Sequence, residues 1–521
     1  MLYNPKLLAY LFFVFLIVSC QKPDNKVINN AGADDSRKMS DLVVSESFNW
    51  SSVKDIFINI ILPEDNQEDL LIITDTENNE VFFKGYRDNN SSVLNTLITI
   101  PTYISSLKVQ YGNKDIYPSY IVDANNEINL DLSEFSSDRI ICGCNNQVRL
   151  LSLFFRGASA SSISVLEVET GNIIFSQTVA PGATFSFAGS GVDNLMSDNI
   201  NLSINGSLHT TINTSCDVQI FVNEEFGLFT VVSGTTSGNI SLCTTNPGTP
   251  TSLVYDGTLA IEDLWPSEGD YDFNDLVIDY NFEITKNSIE QIEKIDVSFT
   301  LHAMGAGFYN GFGFTFPSVL SNQIIRVSGY QLKDYSIINL ASNGTESGQS
   351  QASIVVFDDC FDIMEHPGYG TGINTEQWAP YVQPETINIE IIFKENGQFA
   401  PGGPVTFQQL NIGHFNPFLI VNQQRGIEVH LSGFHPTDLA DTYYLGQWDD
   451  DSKPFQNRYY VNEENYPWAI NIPEIFDYPI ERYDINTAYL YFKNWAESDG
   501  NLYPDWYKDY QGYRNTEYIY Q

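Results

Sequence analysis

The stretch Ile278-Asp279-Tyr280-Asn281-Phe282-Glu283-Ile284 decides the fold class, because every second side chain is apolar and those between are polar. Successive side chains of a β-strand point to opposite faces, so this alternation predicts a strand with one buried face. Residues 295–302, 387–391 and 427–431 repeat the pattern. Almost nothing has the period of an amphipathic helix. We therefore predict an all-β protein built from half-buried antiparallel strands.

Short strand-like runs separated by turn residues recur along the chain, which is typical of β-sandwiches. No fixed repeat period connects them, which argues against a solenoid or a propeller. We expect tandem β-sandwich domains followed by a larger β-rich C-terminal domain. The predicted boundaries are 1–20 for a lipoprotein signal peptide, 21–45 for a flexible tether, 46–137 for a β-sandwich, 138–250 for a Ser/Thr/Gly-rich β domain with disulfides, and 251–521 for the C-terminal domain.

An apolar run follows Lys6 and ends at Leu16-Ile17-Val18-Ser19-Cys20. At about a dozen residues it is too short to cross a bilayer of roughly 30 Å, but it fits a cleaved secretory signal. A small residue followed by Cys resembles a bacterial lipobox, which implies lipidation of Cys20. The alternative is an ordinary signal peptide that contains a Cys. Gln21-Lys22 followed by an acidic residue also resembles the surface-export signals of Bacteroidota lipoproteins. We expect a membrane-associated protein, lipid-anchored at the outer membrane or cell surface.

The charge balance excludes one class of partner. The chain has 25 Lys and Arg against 66 Asp and Glu, a formal net charge of -41. Nucleic-acid binding needs clustered basic side chains, and docking on anionic lipid needs them too, so we predict no nucleic-acid partner and a lipid as the whole membrane anchor. The carboxylates suit calcium sites, although acidity for solubility alone explains most of them equally well.

The cysteines suggest disulfide bonds in the second domain. Once Cys20 is set aside, an odd number is left, which permits at most two bridges. Cys142 and Cys144 are too close in sequence for an easy mutual disulfide, so each is expected to pair with Cys216 or Cys243. A zinc site from these four is the alternative, but the paired CxxC spacing is missing. Cys360, the remaining cysteine, is predicted to be buried.

The densest cluster of oxygen ligands is the run Glu262-Asp263-Leu264-Trp265-Pro266-Ser267-Glu268-Gly269-Asp270-Tyr271-Asp272-Phe273-Asn274-Asp275. In an extended loop, Asp270, Asp272 and Asn274 fall on one side and Tyr271 and Phe273 on the other. Six to eight oxygens suit calcium, and the absence of His and Cys from the run disfavours zinc or copper. The spacing is not that of an EF-hand, and an acidic surface turn is the alternative. The candidate ligands are Glu262, Asp263, Asp270, Asp272, Asn274 and Asp275.

This run, continued through Leu276-Val277, resembles the signature of LruC-domain proteins, as does Ala303-Met304-Gly305-Ala306-Gly307-Phe308-Tyr309-Asn310-Gly311-Phe312-Gly313-Phe314. The resemblance covers residues 254–521. It implies an exported, often lipid-anchored bacterial protein at the outer membrane or surface, whose C-terminal domain has no established activity. It also implies similarity to the DxDxND loops thought to bind calcium in secreted β domains.

Aromatic side chains are concentrated near the C-terminus. They could stack on sugar rings or on a partner, or they could cover a loop-rich region that has little regular structure. The candidate platform residues are Trp448, Trp468, Trp495, Trp506 and Tyr507.

Three classes of function compete. A non-catalytic surface lipoprotein for adhesion, interaction or assembly, with an unknown protein partner, is the first, and a glycan-binding lipoprotein is the second. A hydrolase that uses Asp272 with Asp275, or the acids at Asp358 and Asp359, is the third. Acid pairs carry little specificity in so acidic a chain, and no nucleophile or HExxH motif supports catalysis. We predict that the protein is not an enzyme.

Overall fold

The computed structural model of the chain is nearly all β in the part that it describes, which confirms the predicted fold class. Residues 38–521 form one compact unit. Within it the structure describes all residues except 63–69, 78, 87–92, 112–113, 123–125, 134–146, 216–219, 221, 223, 238–240, 243–249 and 306. No helix in this described part is long and apolar enough to span a membrane.

The first segment of the chain forms two sheets, with strand orders β4-β1-β7 and β3-β2-β5-β6. Alternate residues of β1 point inward, and Ile56, Ile58 and Ile60 are fully buried. The pairing of β1 with β7 is parallel, and the other pairings are antiparallel. The strands are β1 (Val53–Ile61), β2 (Leu71–Asp75), β3 (Val81–Gly85), β4 (Val93–Pro101), β5 (Ser106–Tyr111), β6 (Lys114–Ile121) and β7 (Glu127–Asp131).

The second segment is a β-sandwich of two four-stranded antiparallel sheets, with strand orders β10-β9-β12-β13 and β11-β8-β15-β14. Its core contains Leu153 and Phe155 from one sheet and Val165 and Leu202 from the other. The strands are β8 (Val148–Phe155), β9 (Ser161–Glu167), β10 (Ile173–Val179), β11 (Thr184–Ala188), β12 (Asn199–Ile204), β13 (Ser207–Asn213), β14 (Glu225–Phe226) and β15 (Phe229–Thr236).

The third segment has a six-stranded sheet of order β20-β22-β18-β17-β16-β27 and a four-stranded sheet of order β21-β19-β25-β26. The strands are β16 (Thr251–Ile261), β17 (Leu276–Lys286), β18 (Ile292–Ala303), β19 (Gly311–Phe316), β20 (Arg326–Ser328), β21 (Ala352–Phe357), β22 (Glu385–Ile392), β23 (Lys394–Glu395), β24 (Gln398–Phe399), β25 (Asn416–Ile420), β26 (Glu428–His430) and β27 (Ala469–Ile472). Three short helices complete it: α1 (Phe407–Leu410), α2 (Ile485–Ala488) and α3 (Phe492–Glu497).

The alternating run that opened the sequence lies in β17, at the centre of the six-stranded sheet. Ile278, Tyr280, Phe282 and Ile284 are buried, whereas the polar residues between them are partly or fully exposed. Their neighbours in β18 are antiparallel and in matching register. Apolar side chains therefore meet apolar side chains on one face, as the alternation predicts.

Residues 46–137 do not have a core separate from that of residues 251–521. One continuous cluster of buried side chains includes strands of both segments. At the join, the rings of Phe83 and Phe407 are 6.4 Å apart, and the ammonium group of Lys286 lies 4.4 Å from each ring centroid. The His414 imidazole and the Asp55 carboxylate also meet here, at 2.6 Å.

Residues 39–50, called here the N-terminal strap, pack against the end of the chain, residues 473–521, called the C-terminal segment. Met39 and Leu42 are buried in a second apolar cluster, and Trp50 stacks on Phe492 with ring centroids 5.7 Å apart. The predicted tether of residues 21–45 is therefore wrong from Met39 onward, because burial of these apolar side chains holds the chain against the fold.

Candidate metal centre

The acidic loop, residues 262–275, connects two neighbouring central strands. β16 ends at Ile261 directly opposite Leu276 of β17, so the loop leaves and re-enters the sheet at one point. The amide of Glu262 donates a hydrogen bond to the carbonyl of Trp468, which ties the start of the loop to the segment entering β27. The loop therefore stands at a fixed end of the six-stranded sheet.

The backbone of the loop alternates in a way that separates its aromatic and acidic side chains. Tyr271 and Phe273 have φ angles of 59° and 53°, a left-handed conformation that costs energy in residues other than glycine. Their rings are buried, and Phe273 is fully enclosed. The aromatic side chains thus anchor the loop in the core, as predicted, while the acidic side chains between them converge.

Three carboxylates of the predicted set come together. One oxygen each of Glu262, Asp270 and Asp272 lies within 4.8 Å of the other two. Glu262 and Asp272 are buried, whereas Asp270 is exposed and gives the cluster its open side. Buried carboxylates at this spacing repel one another strongly unless a cation or hydrogen-bond donors compensate their charge.

Backbone donors hold the carboxylates in place without satisfying all of their oxygens. The amide of Phe273 donates to Glu262 Oε1 at 2.7 Å, and the amide of Arg482 donates to Asp272 Oδ2 at 2.6 Å. Among the described residues, Glu262 Oε2, Asp263 Oδ1 and Asn274 Oδ1 have no hydrogen-bond partner although all three are buried. Unsatisfied buried oxygens are rare in folded proteins, so each requires an explanation.

Asp263 and Asp275 form a neighbouring brace. The Asp275 carboxylate accepts a hydrogen bond from the amide of Asp263 at 3.0 Å, and the Asn310 side-chain amide donates to Asp263 Oδ2 at 2.7 Å. These contacts fix the two ends of the acidic loop to each other and to residue 310. The structure therefore places all six predicted ligands in one region, with only Glu262, Asp270 and Asp272 converging through carboxylate oxygens.

The electrostatics of the loop are those of a site without its counter-charge. Burial, and then the negative charges of neighbouring acids, raise the pKa of Glu262, Asp272 and Asp275 well above the ordinary range of carboxyl groups. The pKa of Asp263 rises to about 6, mainly because of burial. The cluster therefore favours either protons or a metal cation over free charge.

Sequence reasoning missed Glu481. Burial raises its pKa to about 7, with the charge of Asp270 adding to the effect, and its Oε2 is buried without a hydrogen-bond partner among the described residues. It lies more than 200 residues after the acidic loop, in Pro479-Ile480-Glu481-Arg482. That stretch contains no second acidic residue at a spacing typical of metal ligands, so only the folded structure shows that Glu481 lies near the acidic loop.

The aromatic platform is wrong for four of its five residues. Trp468, Trp495, Trp506 and Tyr507 are at most 1% exposed, whereas Trp448 is 67% exposed. The four buried rings fill a region whose helices have only four to six residues, so side chains and not regular backbone form its core. The alternative that aromatic residues cover a loop-rich region is therefore confirmed for these four.

The remaining predicted residues divide in two. Cys20, Cys142, Cys144, Cys216 and Cys243 lie outside the described residues, so lipidation and disulfides stay predictions. Cys360 is buried as predicted, and burial raises the pKa of its thiol to about 12. The second acid pair of the hydrolase alternative accepts hydrogen bonds from nearby backbone amides: Asp358 from those of Lys333 and Asp334, and Asp359 from that of Phe361.

Comparison with known proteins gives distant likenesses. Residues 290–507 match a domain of unknown function, DUF4842, and residues 154–234 match another, DUF7467. No curated protein matches the chain. A 2.08 Å crystal structure of a Bacteroides ovatus protein, provisionally described as a lipoprotein, shares 16% identity over 69% of this chain and 99% of that one, with a TM-score of 0.43. The LruC resemblance stays a prediction. The DUF4842 match lies within the region that the resemblance covers, residues 254–521, but does not include the run 262–277.

Proposed function

We propose that this chain is a non-catalytic, exported lipoprotein of the outer membrane or cell surface whose C-terminal domain is stabilised by calcium. Its role is adhesion or assembly through a protein partner. The observation that carries the calcium assignment is the set of buried, unpartnered oxygens on Glu262, Asp263 and Asn274. A bound cation gives these oxygens a partner and offsets the repulsion among the acids around them.

Calcium fits the donors better than other common cations. The candidate ligand atoms are carboxylate and amide oxygens, which calcium prefers, whereas zinc and copper favour nitrogen and sulfur. Asp270 is exposed, so water can complete the shell on that side. Outside the cell, calcium sites work at about 0.1–1 mM, a range in which even a modest affinity gives occupancy.

A stabilising role follows from where the loop lies. It joins β16 to β17, contacts the segment entering β27, and receives a hydrogen bond from the amide of Arg482 in the C-terminal segment. An ion here holds four parts of the fold together.

The assignment as an exported lipoprotein is supported by the N-terminal sequence, in which an apolar run after Lys6 ends in a lipobox-like Ser19-Cys20. A net charge of -41 gives the chain no attraction to anionic lipid, so in this proposal the lipid on Cys20 is the whole membrane anchor.

Calcium titration of the full-length protein in detergent tests the assignment. Protein stripped of metal on a chelating resin is titrated by calorimetry and then unfolded by heat with and without calcium. We expect saturable binding and a melting temperature several degrees higher with calcium. Absence of binding at about 1 mM calcium contradicts the proposal.

A pair of variants separates the metal from general destabilisation. Asp272→Ala with Asp275→Ala is expected to abolish the calcium-dependent shift without lowering the melting temperature of the metal-free protein. The control, Asp296→Ala with Asp509→Ala, removes two solvent-accessible carboxylates and keeps the shift. An equal loss of stability with and without calcium in the first variant contradicts the metal assignment.

Glycan binding is the second candidate, and its platform is now smaller. Trp448 stacks on Tyr444 with ring centroids 5.9 Å apart, and Tyr443 beside them is 66% exposed. Exposed stacked rings suit the apolar faces of sugars. Retention on polysaccharide columns that is lost in Trp448→Ala would favour this candidate, whereas the adhesion proposal predicts no retention.

A further inference from the structure

We propose that Glu481 is a further ligand of the calcium site, so that the ion links the C-terminal segment to the acidic loop. This inference rests on the proposed calcium site and adds a ligand, distant in sequence, on the side of Asn274. Glu481 is not one of the three carboxylates whose oxygens lie within 4.8 Å of one another.

Two buried oxygens lie close together beside Gly305. A Cβ atom at Gly305 would lie 2.0 Å from Asn274 Oδ1 and 3.0 Å from Glu481 Oε2, so the two oxygens are at most 5.0 Å apart. Neither oxygen has a hydrogen-bond partner among the described residues. Two acceptors cannot satisfy each other, so the pair calls for a cation, a proton on the Glu481 carboxyl or an external donor.

The orientation of Asn274 is set by its other side-chain atom. Its Nδ2 donates to the carbonyl of Pro479 at 3.1 Å, which directs Oδ1 away from that carbonyl and toward Gly305. Asn274 is 0% exposed. An unpartnered amide oxygen, fully buried and at most 5.0 Å from a buried carboxylate oxygen, is the arrangement expected at a ligand position.

Gly305 keeps the space between these oxygens open. Its φ angle is not left-handed, so the backbone conformation does not require glycine. Its amide donates to the carbonyl of Asn274 at 2.8 Å, which fixes it beside the acidic loop. Any side chain here would collide with Asn274 Oδ1, so glycine is needed for space and not for conformation.

Backbone hydrogen bonds to two other parts of the chain hold the segment around Glu481 in place. The amide of Glu481 donates to the carbonyl of Thr375 at 3.0 Å, and the amide of Ile485 donates to that of Tyr271 at 2.9 Å. Together with the bond from the Arg482 amide to Asp272, these contacts bring residues 479–485 along the acidic loop.

A nearby arginine does not replace the ion. The guanidinium of Arg482 is 3.7 Å from Glu481 Oε1, and its side chain is 69% exposed. An ion pair at this distance with an exposed arginine contributes little, and it leaves Glu481 Oε2 without a hydrogen-bond partner.

The experiment compares calcium binding by full-length protein in detergent, metal-stripped, in three forms: wild type, Glu481→Gln and Glu395→Gln. Gln keeps the size of the side chain and removes its charge, and Glu395 is an exposed glutamate of β23 that serves as the control. We expect Glu481→Gln to weaken calcium affinity roughly ten- to a hundredfold, and the control to match wild type. Gly305→Ala, which fills the space, is expected to weaken binding as well.

The outcomes separate this inference from the proposed function. If wild type binds calcium and Glu481→Gln binds it with equal affinity, the inference is overturned and the calcium site stands. If wild type binds no calcium, both are overturned. Hydrogen exchange gives a second reading: calcium should slow exchange across residues 479–497 in wild type and much less in Glu481→Gln. Slowing to the same degree in both proteins also overturns the inference.

Discussion

The calcium dependence of stability should grow with pH, because the same carboxylates bind protons when the metal is absent. The raised pKa values of Glu262, Asp263, Asp272 and Asp275 mean that the metal-free folded chain binds protons more tightly than the unfolded chain. Its stability therefore falls as pH rises from the unfolded pKa, about 4, through the folded value. Calcium replaces these protons, so the calcium-bound fold avoids the loss.

Asp263 provides a magnitude. Its pKa of about 6, against an ordinary value of 3.8, corresponds to a cost of roughly 3 kcal/mol for the ionised metal-free fold, at about 1.4 kcal/mol per pH unit. With an unfolding entropy of about 2.1 cal/mol/K per residue, this equals roughly 3 °C if residues 38–521 unfold together and roughly 5 °C if residues 251–521 unfold alone. The other raised acids add to the effect in the same direction.

The assay is thermal unfolding of metal-stripped protein at about pH 5 and about pH 8, each with and without calcium. Stripping on a resin is preferable to adding a chelator, because chelators lose affinity at low pH. We expect the calcium-dependent rise in melting temperature to be larger at the higher pH. About half of the Asp263 contribution falls between these two pH values, which equals roughly 1–2 °C, and the other raised acids add to it. Asp263→Asn, which cannot ionise but still accepts from Asn310, should reduce the pH effect, whereas Glu395→Gln should not. A calcium effect that is independent of pH, or larger at low pH, would refute the reasoning.

Three further predictions concern other parts of the molecule. Cys20→Ser should release the protein from the membrane fraction, and persistent retention would contradict lipid anchoring. Arg425→Ala should lower the free energy of unfolding by roughly 3–5 kcal/mol, because it removes the guanidinium that pairs with two buried carboxylates. Arg326→Ala removes a half-exposed ion pair and should change this free energy by less than about 1 kcal/mol. Equal losses for the two variants in denaturant unfolding would show that burial does not set the difference. Trp50→Ala should cost roughly 3–5 kcal/mol by removing a buried ring of the N-terminal strap and the exposed Trp448→Ala less than about 1 kcal/mol, a contrast that thermal unfolding can measure.

The strands could be predicted from sequence because their signal is local. In β17 the alternation of Ile278, Tyr280, Phe282 and Ile284 with polar residues is set by the pleat of a single strand, and it needs no knowledge of the neighbouring strands. The acidic loop was predictable for the same reason, since its ligands and its anchoring aromatic residues lie within fourteen consecutive positions. Both patterns are therefore contained within a single strand or a single loop.

The failures depend on contacts between distant parts of the chain. Trp495 and Trp506 belong to an aromatic-rich segment that by composition suggested a binding platform. In the structure, Phe48 and Trp50 of the N-terminal strap pack in one buried cluster with these rings and cover that region. The packing of the N-terminal strap is also the reason that the predicted tether does not extend to residue 45. The shared core of the first and third segments likewise depends on Phe83 meeting Phe407, which are more than 300 residues apart. Composition cannot indicate which apolar surface covers which.

Glu481 shows how local sequence patterns and contacts between distant residues combine at one site. A carboxylate cluster within a loop needs the loop alone, whereas a buried cation site needs oxygens from enough directions to replace water. Asp270 and Asp272 supply one side of that shell, and the C-terminal segment brings Glu481 to another. The amide of Met39 in the N-terminal strap donates to Asp484, three residues beyond Glu481. If the ion binds as proposed, it therefore fixes the C-terminal segment at the point where the N-terminal strap packs against it, and calcium strengthens the packing of the strap on the folded body.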